Sequence, residues 1–271
     1  MPNFWYYLVL EFKRYGLKNI IFLVSVSFIC SIVLSLASSA ADFEDYGRAI
    51  SIIFALICAC MFIGIIMSID MFCGEYLPIR FDSGMGIPVV FIILSKVIFI
   101  LVLSVFTSII LLIPYFLNSY EILDIKYLYL YISVFFTIVS MSSVSLLVSI
   151  IFRHNMNMAM FFVILVMLCQ IIFSGFIFKN IGISSAGTGD NLMFLCKYFI
   201  SFHAIYLIGS ALRFDNPPLK NPSANIDEYF YSDFRFFALH LRYLLIFIII
   251  SLGLSIIWLY FAGRRDPSHL K

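Results

Sequence analysis

Long stretches without a single charged residue alternate along this chain with short charged connections. A helix needs about 20 mainly apolar residues to cross a bilayer. Runs of that kind occupy Ile20–Ala40, Ala49–Ile69, Val97–Leu117, Leu128–Ile151, Ala159–Ile177 and Tyr243–Ala262. They predict an all-α integral membrane protein with six transmembrane helices, spans one to six. The first run is too long for a cleaved leader, and a mixed aromatic and basic segment precedes it, so it is expected to be retained. In that preceding segment Phe4, Trp5, Leu8, Val9 and Phe12 recur at helical spacing, while Tyr7, Glu11, Arg14 and Lys18 fall on the other side. The pattern predicts an interfacial helix over residues 1–19, aromatics toward the acyl chains and cations toward water.

Between the last two spans, Leu192–Leu212 is apolar but carries Lys197, Ser201 and His203 near its middle, where charge is costly. A re-entrant or interface-dipping helical segment is expected there rather than a seventh span. The chain then reads as one transmembrane domain, 1–271: an interfacial helix (1–19), spans one to five (20–177), an external segment (178–242), and span six with a tail (243–271).

Composition excludes the soluble alternatives. Of the 271 residues 63% are hydrophobic and 12% charged, with a mean hydropathy of +1.07. A soluble domain is roughly 45–50% apolar and about 25% charged. The net charge of +2, with Lys and Arg dispersed, carries no nucleic-acid footprint. Sorting the cations by connection orients the bundle. Lys13, Arg14, Lys18, Arg80, Lys96, Arg153, Arg264, Arg265 and Lys271 fall on one side, and the short loops of the other side hold only Arg48 and Lys126. The six in Phe178–Arg242 belong to a connection long enough to be discounted. Both termini are therefore expected in the cytoplasm.

Several features that resemble chemistry lack the spacing for it. Cys30, Cys58, Cys60, Cys73, Cys169 and Cys196 form no metal or disulfide framework and read as small apolar fillers. His154, His203, His240 and His269 are far apart, with no His-Glu-x-x-His. Asp42, Glu44 and Asp45 read as a solvated loop rather than a cation site. Gly182–Asp190 reads as a flexible external loop, since no strand precedes it and no Lys follows. Small residues recur four apart on span two (Cys60, Gly64, Ser68), the spacing of close helix packing, and span four is rich in serine (Ser140, Ser142, Ser143, Ser145, Ser149); both read as packing within the chain. Gln170, deep in span five, needs a hydrogen-bond partner on a neighbouring helix. Asp70 and Lys96 are candidates to pair near the membrane surface.

The segment Cys73-Gly74-Glu75-Tyr76-Leu77-Pro78-Ile79-Arg80-Phe81-Asp82-Ser83-Gly84-Met85-Gly86-Ile87-Pro88, with Lys96 opening span three, holds acid, base, glycine and proline in a turn that the spans do not require. With the interfacial helix, the six spans, Ser174-Gly175-Phe176 ending span five and Tyr198–Ala211 beyond it, it resembles the permease subunits of ABC type-2 exporters, the group with the ABCG-like fold. Two departures stand out: the second acid of the turn is Asp82, two residues after Arg80, and Ser201 is followed by Phe202 rather than proline.

The resemblance implies a transmembrane permease that moves a hydrophobic or amphipathic substrate outward, whether drug, peptide, lipid or glycan. It implies a bacterial cytoplasmic membrane, a second permease subunit as homodimer or heterodimer, and two copies of an ATPase subunit. The chain has no Gly-x-x-x-x-Gly-Lys-Ser/Thr loop, so ATP and Mg are expected on that partner, with no cofactor on this chain and no nucleic acid. Glu75, Arg80, Asp82, Gly84, Pro88 and Arg14 are the implied ATPase-coupling residues. Phe54, Cys58, Met61 and Ile65 on span two, with Phe162, Leu165, Cys169 and Phe173 on span five, are the implied pathway lining. An intramembrane protease or lipid-modifying transferase is the alternative. It would need convergent polar groups, and the chain has neither a Gly-x-Ser-Gly with a span-borne His nor a paired Asp motif.

Overall fold

The computed structural model describes residues 4–39, 46–73, 89–118, 125–174, 194–212 and 234–264, and these are helical throughout apart from short turns. In chain order the helices are α1 (Phe4–Ser39), α2 (Tyr46–Ser68), α3 (Asp70–Cys73), α4 (Val89–Asn118), α5 (Ile125–Ile151), α6 (Met156–Ile172), α7 (Ile200–Leu212) and α8 (Phe234–Arg264). Five segments are long and apolar enough to cross a membrane: Leu8–Leu36, Ser51–Cys73, Val90–Ile113, Tyr127–Ile151 and Phe234–Phe261. The chain is thus an all-α protein with the helices of an integral membrane protein. The fifth expected span is a shorter helix, ending at Ile172, and residues 175–177 of that run lie outside the described residues.

The centre is α5, the most buried of the membrane-length helices, while α1 and α8 are the least buried. It packs against α2, α4, α7 and α8, and α1 lies on α4 and α2. Its serines and threonine suit that position. Ser133, Thr137, Ser140 and Ser142 each donate to the carbonyl four residues back, 2.7–2.8 Å away, so their hydroxyls need no water. At Gly64 the two backbones nearly touch: Ser142 also donates to the Gly64 carbonyl at 3.1 Å. Helix α6 starts where Asn155 caps it, its side chain accepting from the Met158 amide at 3.2 Å.

Three sequence expectations change. Helix α1 does not turn at residue 19. It breaks at Gly16, whose φ of 75° and ψ of 148° are open to a residue without Cβ. Nor does all of its polar side face water: Glu11 is buried against α4 and Arg14 is half-buried, while Lys18 is exposed. Lys96 is not at the mouth of its helix but inside it, since α4 begins at Val89. Helix α8 begins at Phe234 rather than Tyr243, taking in Arg235, His240 and Arg242 and shortening the external segment. In each case a charged or polar side chain that would end a lone helix in lipid is tolerated through its neighbours or its exposure.

Candidate functional site

Buried polar contacts hold the helices on either side of segment 74–88. On its near side, Ser149 of α5 replaces the helix hydrogen bonds that α2 and α3 lose at their junction. Its hydroxyl donates to the Ile69 carbonyl at 2.6 Å and accepts from the Phe72 and Cys73 amides at 3.3 and 3.2 Å. The Cys73 thiol completes the join, lying 3.4 Å from the Ser149 carbonyl and 3.3 Å from that of Phe152. Ser149→Ala strands these groups, and a loss of about 1–3 kcal/mol is expected, read as a lower Tm in detergent. An unchanged Tm would mean that water or another residue replaces the hydroxyl.

On the far side, Lys96 Nζ stands 3.0 Å from Glu11 Oε2, with the lysine side chain wholly buried and the glutamate 7% exposed. The ammonium also lies 5.3 Å from the centre of the Phe72 ring. Phe12 and Tyr15 of α1 close over Phe99 of α4, at 4.7 and 5.0 Å between ring centres. Helix α1 before its break is therefore fastened to α4 by a charge pair and an aromatic cluster. Lys96 takes Glu11 as its partner here, while Asp70 is exposed at the start of α3. Of the coupling residues, Arg14 is half-buried one turn beyond Glu11. Glu75, Arg80, Asp82, Gly84 and Pro88 lie outside the described residues.

A second polar cluster sits at the other end of α5. Gln170 of α6 meets α7: its Oε1 accepts from the Ser201 amide at 3.2 Å, and its carbonyl accepts from the Ser201 hydroxyl. Two residues on, His203 Nδ1 is 2.8 Å from His240 Nδ1 of α8, and His203 Nε2 is 2.8 Å from the Lys197 carbonyl. A carbonyl only accepts, so His203 carries its proton on Nε2. Its Nδ1 then accepts from the Nδ1–H of a neutral His240. Each imidazole is stacked by a tyrosine of the opposite helix: Tyr243 on His203 at 4.5 Å, and Tyr206 on His240 at 4.7 Å. Two His-x-x-Tyr sequences, His203 to Tyr206 and His240 to Tyr243, thus interlock reciprocally. Reading each histidine singly missed this. The repeated His-x-x-Tyr was its one sequence signal, because residues three apart share a helix face.

The implied pathway residues divide. Met61 and Ile65 are buried in the chain's own core, and Phe54 and Cys58 are half-buried. Phe162 stacks on Phe152 at 4.4 Å and Phe173 on Phe199 at 4.8 Å. Cys169 is half-buried, and Leu165 is exposed. All six cysteines are free thiols. Among the described residues no three of His, Cys, Asp and Glu gather as a metal site would require. Compared with known protein families and with curated proteins, the chain matches none of them.

Proposed function

We propose that the chain is the permease subunit of an ATP-driven exporter, carrying a hydrophobic or amphipathic substrate outward across a bacterial cytoplasmic membrane. The observation that carries this reading is the buried Glu11–Lys96 pair. It makes one rigid piece of the first helix segment and α4, and Ser149 binds the α2–α3 end to α5. A push on segment 74–88 would then reach three helices without first taking up slack. That is what a coupling element needs if a separate ATPase, holding ATP and Mg, is to rock two permease subunits between inward and outward states. Glu75, Arg80 and Asp82 would meet the ATPase through charge-assisted hydrogen bonds, with Arg14 beside them and Gly84 and Pro88 shaping the turn.

In this reading α6 is the short fifth span of six, both termini are cytoplasmic, and α7 is re-entrant. Helix α7 is 13 residues long, about 20 Å, too short to cross about 30 Å of hydrocarbon. Its polar side chains Ser201, His203 and Ser210 all have partners, as non-spanning backbone at membrane depth demands. The exposed face of α6 around Leu165 is available to a second permease across a shared pathway.

The test is affinity purification from a native membrane. An ATP-binding protein should accompany the chain, and its ATPase should respond to transport. Arg80→Ala should keep the assembly's ATPase while abolishing transport. Purification without an ATPase, with hydrolytic activity on the chain alone, would replace the exporter with an intramembrane enzyme.

A further inference from the structure

Two exposed cations adjoin the interlocked His-x-x-Tyr pair in the backbone. Lys197 is tied through its carbonyl to His203. His203 is stacked by Tyr243, whose neighbour in sequence is Arg242. Both cations are exposed, and so is Arg235, which lies two turns before Arg242 on the same side of α8. That side continues at the same spacing through Ile249 and Ile256, both exposed and apolar. Cations therefore head a ridge whose remainder is suited to acyl chains.

Helix length puts the head of the ridge at the membrane surface. Helix α8 has 31 residues, about 45 Å, roughly 15 Å more than the hydrocarbon thickness. Its exposed aromatics mark the boundaries: Tyr243 toward one end, Trp258 and Tyr260 toward the other. Tyr243 and Tyr260 are separated by about 25 Å of helix, within about 5 Å of the hydrocarbon thickness, and Tyr and Trp are enriched at both interfaces. Arg242 then lies just outside the hydrocarbon, at headgroup level, with Lys197 and the exposed Tyr198 beside the same clamp. Among the described residues the only acids are Glu11 and Asp70. Both belong to the far end, about 30 Å away along α5. The described charge at this end is entirely positive.

We infer that the α7–α8 end is a binding site for the phosphate headgroup of an anionic phospholipid, held by Arg242 and Lys197, with an acyl chain along Ile249 and Ile256. The inference needs only a membrane and does not depend on the exporter reading. The test uses the full chain in a neutral detergent, with phosphatidylglycerol, phosphatidylcholine and inorganic phosphate as probes. Phosphatidylglycerol should raise Tm and survive as a bound adduct in native mass spectrometry, an effect that weakens as salt rises. Phosphatidylcholine and inorganic phosphate should not reproduce it. The Lys197→Gln/Arg242→Gln variant should bind phosphatidylglycerol on the order of tenfold more weakly or worse. Equal stabilisation by phosphatidylcholine, protection by inorganic phosphate alone, or an unaltered double variant would each overturn the assignment. The salt dependence of the unmodified chain decides the matter should the variant fail to fold.

Discussion

Replacing Lys96 with methionine is expected to cost about 3–5 kcal/mol of stability, because it removes the cation that stands 3.0 Å from the buried Glu11 carboxylate. Glu11→Gln should be milder, since a neutral amide can still accept a hydrogen bond from the ammonium, yet it too removes one charge of a buried pair. The informative variant is the double one. Glu11→Leu with Lys96→Met removes both charges, and nearby Phe72, Phe99 and Phe12 give the new side chains apolar neighbours. Replacing a buried pair by packed hydrophobic residues is often neutral or better, so the double variant should recover most of the loss. The cycle is read by denaturant or thermal unfolding in detergent, and its coupling energy isolates the pair. A Lys96→Met variant as stable as the parent would show that Glu11 finds another partner or is solvated. In the exporter reading the recovered double variant has a second use. It keeps α1 on α4 by packing alone, so a loss of transport at full stability would assign the charges to coupling and not to folding.

Five of the six expected membrane-crossing runs were legible because each needs only a local property, a charge-free run of sufficient length. Their ends were less legible, because a span cut at its first charge assumes that every charge must reach water. Lys96 breaks that assumption through a partner 85 residues away. His240 breaks it through a partner 37 residues away. No window of the length of one span contains both members of either pair. The same distinction runs through the serines. Ser133, Thr137 and Ser140 satisfy themselves on their own helix turn, so their presence in a span is intelligible locally. Ser149 instead serves a junction on another helix, and nothing in its own surroundings sets it apart from Ser143 or Ser145. Gln170 lies between these cases: its need for a partner was plain, and the identity of that partner, Ser201, was a tertiary fact. Glu11 is the clearest error of pattern reading. An acid on the polar side of an amphipathic helix is ordinarily in water, and the burial that inverted it comes from α4, not from α1. Of the implied coupling residues, only Arg14 lies among the described residues, so the fold supports the flanks of that segment and not its contents.

The second large effect is expected at Gly64. A Cβ there would lie 2.8 Å from the Ile138 carbonyl oxygen, 3.2 Å from Met141 Cβ and 3.2 Å from the Ser142 amide nitrogen. Two of these three neighbours are backbone, so no rotamer change relieves the contact and α2 must move away from α5. That movement strains the hydrogen bonds across the same seam, from Ser142 to the Gly64 carbonyl and from Ser149 to the Ile69 carbonyl. Gly64→Ala is therefore expected to lower stability by about 1–3 kcal/mol despite the better helix propensity of alanine, and Gly64→Leu by more. Gly253, within α8, provides the control, since a Cβ there meets nothing within 4 Å. Gly253→Ala should be neutral or stabilising by about 0.5–1 kcal/mol, the gain from removing glycine's freedom in the unfolded chain. Both are glycines inside apolar helices, so propensity alone gives the two substitutions the same sign, whereas the packing gives them opposite signs. Unfolding curves for the two variants under one detergent condition separate these outcomes. If Gly64→Ala were as stable as Gly253→Ala, the close approach of α2 to α5 would be wrong.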